Sequence, residues 1–150
     1  MLKLAIGVGL LLASSPLLAQ QTTEGAQEFL RLQFERGITH RFSRGGEDRH
    51  DMTFFVSPGK PTTDQCITHY KFNISNDPKA TDSYIEWRNV PAVVQVGASV
   101  NVQNSPKSAA QDPIYAFTKW EFGSPELAAR AAFAMEFLRD ACDPAASTGF

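Results

Sequence analysis

Cys66-Ile67-Thr68-His69-Tyr70-Lys71-Phe72-Asn73-Ile74-Ser75 is the most regular stretch of this 150-residue chain. Successive side chains of a strand point to opposite faces. Cys66, Thr68, Tyr70, Phe72 and Ile74 therefore share one face, and Ile67, His69, Lys71 and Asn73 share the other. That is the pattern of a half-buried strand, and Asn76-Asp77-Pro78 ends it.

The second decisive stretch begins at Gly123-Ser124-Pro125-Glu126. Ser stands where a helix N-cap is needed, Pro at the first helical position, and an acid against the positive helix end. Leu127, Ala131, Ala134, Met135, Leu138, Ala141 and Cys142 then form one stripe at spacings of three and four. The spacing predicts a helix over 125–142, and Pro144 bars its continuation.

The chain has two cysteines. Cys66 begins the apolar face of the strand and Cys142 ends the apolar stripe of the helix, so both side chains point into one interior. A disulfide between them is expected, and the helix should lie across the apolar face of a sheet.

Working outward, Thr22 or Thr23 caps a helix near 23–36 whose apolar positions are Ala26, Phe29, Leu30 and Phe34, with Gly37 as its stop. Strand patterns follow at Ile38–Ser43, Met52–Val56, Cys66–Ser75, Tyr84–Arg88, Val93–Val102 and Ile114–Glu121. Turn residues separate them and no helix intervenes. The expected fold is α+β: an antiparallel meander of five to six strands flanked by an N-terminal and a C-terminal helix. Residues 20–150 form a single domain on this reading, because no stretch is long or biased enough to be a linker.

Residues 1–19 read differently. Lys3, an apolar run from Leu4 to Leu12, and Ser14-Ser15-Pro16-Leu17-Leu18-Ala19 are the parts of a secretory signal peptide. The run is too short and too interrupted for the roughly 20 residues of a bilayer span. Cleavage after Ala19 is expected, which places the mature chain in the periplasm or outside the cell. Intact-mass analysis of the exported protein should find Gln20 as its first residue, and a retained leader would refute the assignment. Losing Lys3 leaves 13 basic residues against 16 acidic ones, a net charge of -3. Such a chain has no global positive field for nucleic acid or an anionic membrane.

The residues that could carry chemistry do not assemble into a site. His40 shares a face with Ile38 and Phe42, whereas His69 lies on the face opposite Cys66. His50 has the parity of Met52, Phe54 and Val56 and could approach His40, with Asp51 nearby. Two histidines and an acid are not a ligand spacing, so no metal and no cofactor are expected. Gly97-Ala98-Ser99-Val100-Asn101 lacks the second Gly of a nucleophile elbow. Cys66 and His69 are three residues apart in a strand and fall on opposite faces. Gly45-Gly46 precedes acids rather than a Lys and a helix, so it is no phosphate loop. Arg36, Arg41, Arg44 and Arg49 are offset by Glu47, Asp48 and Asp51.

One feature points to binding. Tyr84, Trp87, Tyr115, Phe117 and Trp120 divide between both strand faces, so some aromatic surface should lie outside the helix-covered core unless the first helix covers it. The sequence therefore reads as a small exported non-catalytic protein that binds a protein partner or an apolar ligand. The alternative is a small periplasmic hydrolase using His40 or His50 with a neighbouring acid.

Overall fold

The computed structural model describes residues 22–43, 51–74, 79–103 and 117–147. The expected leader, His50 and Tyr115 lie outside the described residues. The fold is α+β. Helix α1 spans Thr23–Glu35, with the Thr22 hydroxyl accepting a 3.0 Å hydrogen bond from the Gly25 N–H. Gly37 leaves the helix at φ 78°, a left-handed conformation that favours glycine.

Seven strands follow: β1 Thr39–Ser43, β2 Asp51–Pro58, β3 Ile67–Ile74, β4 Thr81–Glu86, β5 Val93–Val96, β6 Ser99–Gln103 and β7 Phe117–Glu121. Helix α2 spans Pro125–Cys142 and is capped by Ser124, whose hydroxyl accepts from the Leu127 N–H. The sheet order is β4-β3-β2-β1-β7-β6-β5, with every neighbouring pair antiparallel.

This corrects the expectation of one meander of five to six strands. Two meanders, β1–β4 and β5–β7, join where β1 pairs with β7, so the first and last strands meet at the centre. The additional strand comes from Gly97. The pattern over Val93–Val102 reads as a single strand, but Gly97 adopts φ 58°, and Val96 pairs with Ser99 across the two-residue loop Gly97-Ala98. Glycine at the first central position with positive φ is the signature of a tight hairpin whose twist matches its strands. The fold-back resets the parity: Val94 and Val96 are exposed, while Val100 and Val102 are fully buried.

The helices lie side by side on the sheet, with the Arg130 guanidinium 5.1 Å from the centre of the Phe29 ring. Leu30 and Phe34 of α1, and Ala128, Ala131, Met135 and Leu138 of α2, are buried in one core with Tyr70, Val100 and Trp120. The Phe34 ring lies tilted 4.8 Å from that of Trp120, which meets Tyr70 edge-on at 5.1 Å. These centroid separations are in the favourable range for offset or edge contacts.

Cys66 and Cys142 have Cα atoms 5.6 Å apart and their sulfurs are joined. Strand and helix periodicity thus bring the pair together as the two patterns require. The helical phase has its own test. Leu138→Ala should cost about 2–5 kcal/mol, because its fully buried side chain leaves a cavity in the core. Arg139→Ala, at a partly exposed side chain, should change stability by less than about 0.5 kcal/mol. Equal losses in denaturant melts would mean that the helix is rotated from the described orientation.

Candidate functional site

A half-open cleft of about 510 Å³ lies between α1 and the segment that links β2 to β3. The α1 wall carries Glu24, Gln27, Glu28 and Arg31. The facing wall is the segment from Pro58 to Gln65, and Phe34, Ile67, Thr68 and His69 complete the lining.

Gly59 shapes this arrangement. Its N–H donates to the His69 carbonyl at 3.1 Å, and a Cβ built there would sit 2.5 Å from the His69 carbonyl carbon. Real Cβ atoms do not approach backbone so closely, so glycine is required where the end of β2 presses on β3. Beyond it, Lys60 and Pro61 leave the sheet and rise into the cleft wall.

Gln27 ties the walls together. Its side-chain amide donates to the carbonyls of Gln65 at 2.7 Å and Ile67 at 3.4 Å. Its carbonyl oxygen accepts from the Thr68 hydroxyl at 2.6 Å, and that hydroxyl accepts from the Trp87 indole N–H at 2.7 Å. Thr68 and Trp87 are buried, and this chain of bonds satisfies their polar atoms away from water. Gln65 donates to the Glu24 carboxylate and also meets the Thr23 hydroxyl.

Most charges at the cleft are already paired. Glu28 and Glu35 both bind the Arg31 guanidinium. The hydrogen bond to Arg31 holds the Glu28 carboxyl below the usual carboxylate range, and Arg31 is correspondingly raised. Asp64 is lowered first by the Cys66 N–H donating to it and then by Arg88, which contacts both of its oxygens at 3.1 Å. Because the folded state depresses these two acids, they stabilise the fold above the ordinary carboxylate range. That contribution drains away as pH falls through it. Both groups are exposed, so acid should soften the cleft walls without a large loss of global stability.

The sequence-expected aromatic surface is corrected in part. Trp87 and Trp120 are 0 % exposed and belong to the core. Trp87 follows the end of β4 in a short 3-10 turn, Trp87–Asn89, where strand parity no longer applies. Trp120 is covered by Phe34 of the first helix. Tyr84 remains on the surface, 60 % exposed, and its ring lies 5.9 Å from that of His69 at the cleft edge. Phe117 occupies the first position of β7, in register with Gln103.

The histidine positions separate in the register. His40 pairs with Phe54 and Trp120, both core residues, whereas His69 pairs with exposed Tyr84. Among the described residues no group of three His, Cys, Asp or Glu side chains could hold a metal ion. The expectation from the sequence that no metal is held is tested by a chelator, which should leave the thermal midpoint unchanged. Elemental analysis finding one zinc per chain, lost on replacing His40, would contradict this. Among the described residues no helix is long and apolar enough to cross a membrane.

The sequence reading missed Gln27, Gly59, Asp64, Gln65 and Thr68 as a group. The available signal was the run Pro58-Gly59-Lys60-Pro61, which reads as a strand end but also forces an extended segment away from the sheet.

No protein family and no curated protein matches the sequence. One solved structure is similar: inner membrane complex sub-compartment protein 3 from Toxoplasma gondii, at 11 % identity and a TM-score of 0.48. The match covers 81 % of this chain and 89 % of that one.

Proposed function

We propose that this is a small exported, non-catalytic protein that binds a protein segment or a small apolar ligand in the cleft between α1 and the β2–β3 connection. The observation that carries the reading is the cleft itself: Pro58, Pro61 and Ile67 supply apolar surface with buried Phe34 behind them, and Glu24, Glu28, Arg31, Lys60, Thr62, Gln65 and His69 supply a polar rim. An apolar floor with a few polar groups is the usual construction of a binding pocket. The walls are set before a ligand arrives, by Gln27, by the Asp64–Arg88 pair and by the Cys66 anchor. Preformed walls lower the ordering cost of association. Export rests on the residue pattern of positions 1–19.

The apolar dye 1-N-phenylnaphthylamine tests the site. Its fluorescence should rise saturably, and amide shifts on titration should map to 58–69 and α1. Lys60→Trp places an indole at the exposed cleft mouth and should weaken dye binding by about tenfold, a loss of roughly 1.4 kcal/mol. Shifts scattered over the sheet, or dye binding untouched by Lys60→Trp, would refute the cleft as the binding site.

A further inference from the structure

We propose a second interaction surface, bordering the cleft at Tyr84: the outer edge of β4 accepts an extended basic segment of a partner protein as an added strand. β4 is a terminal strand of the sheet, and no other described strand pairs with its outer side. An edge strand presents a row of N–H and C=O groups to whatever extended chain arrives.

Its side chains select among arrivals. Asp82, Tyr84 and Glu86 alternate on the outward face of β4, whereas Ile85 between them is buried. Adjacent residues of this row are about 6.8 Å apart along the strand. An added strand would therefore meet an acid, an aromatic ring and a second acid on one face. Cross-strand neighbours of opposite charge are favourable and like charges are not. The complementary segment carries Lys or Arg at two positions flanking an apolar or aromatic residue, each separated by one residue.

The same row rejects a second copy of this chain. An antiparallel β4–β4 pair centred on Tyr84 would set Asp82 opposite Glu86 twice. The local cations do not erase the preference. Lys71 stands opposite Asp82 in the β3 register, and Arg88 reaches Glu86 at 3.7 Å, but both lie on the inner side of the strand or beyond its end rather than at the open edge. The opposite sheet edge, β5, exposes Val94 and Val96 and carries no charge within Val93–Val96, so it offers no such selection.

The test uses the purified disulfide-bonded protein, labelled with ¹⁵N, and the blocked peptide Thr-Lys-Thr-Phe-Thr-Lys-Thr. Amide shifts should map to 81–86. The affinity should exceed that for the peptide with Glu in place of both Lys by about tenfold at low salt, and the difference should shrink as salt is added. N-methylating the peptide backbone on its pairing side should abolish binding, because the ladder bonds are lost. The exposed-edge variant D82K/E86K should reverse the order of the two peptides. Equal affinities, shifts confined to α1 or β5, or no saturation with millimolar peptide would each overturn the proposal. Dye binding in the cleft is scored on the shifts of α1 and 58–69, and the strand edge on those of 81–86.

Discussion

The double variant C66A/C142A should lose about 4.5 kcal/mol of stability, the loop-closure contribution of a bridge spanning 76 residues. The bridge closes a loop that contains all of β3 to β7 and α2, so its removal mainly enlarges the unfolded ensemble. A denaturant melt should show a lower midpoint and a steeper dependence on denaturant, since a freer unfolded chain exposes more surface. The native contacts around Cys66 should survive. Its carbonyl accepts from the Trp87 N–H at 2.9 Å and its N–H donates to Asp64 at 2.9 Å, and neither bond involves sulfur. Thiol titration of the denatured, unreduced protein should find no reactive thiol. Two thiols per chain, or an unchanged melt for the variant, would show that the bridge is not formed or not closed across this loop.

Legibility followed the physics of each element. The C-terminal helix is readable to the residue because Ser124, Pro125 and the cysteine at its end are local signals, and local signals need no partner. The same holds for Thr22 and Gly37 around α1. The 93–103 region misleads because its small and β-branched residues mimic a single strand, and only the sign of φ at Gly97 separates a strand from a hairpin. Trp87 misleads because it falls in the 3-10 turn after β4, where parity lapses, and Trp120 misleads for a different reason. Strand parity tells which residues share a face but not whether a helix covers it, and α1 covers the face that holds Trp120. The cleft is illegible because its defining contacts are side-chain hydrogen bonds of Gln27 and Gln65 across 38–41 residues of sequence. Glutamines on a helix surface have no periodic signature that distinguishes such a clamp from an ordinary solvated face.

Trp87→Ala should be among the most damaging single changes in the chain, at about 3–5 kcal/mol. Trp87 is 0 % exposed and packs in the core beneath the start of β3. Truncation removes one of the largest buried side chains of the core and leaves a cavity there. It also takes the indole donor from the Thr68 hydroxyl, 2.7 Å away, while the bond from that hydroxyl to Gln27 persists. Thr68 therefore keeps one partner and loses the other, which adds a smaller polar cost to the packing loss. Two further variants separate these terms. Trp87→Phe retains most of the apolar volume and removes the donor, so it should cost clearly less than Trp87→Ala. Thr68→Val keeps shape and removes both hydroxyl bonds, taking a partner from the Gln27 side-chain oxygen and from the indole N–H together, and should cost about 1–3 kcal/mol. The cleft dye should then bind more weakly to Thr68→Val than to Trp87→Phe, because only Thr68→Val removes a bond from the Gln27 clamp. If Trp87→Phe and Trp87→Ala cost the same in melts, the hydrogen bond rather than the packed ring holds this corner, and packing ranks below the polar contact.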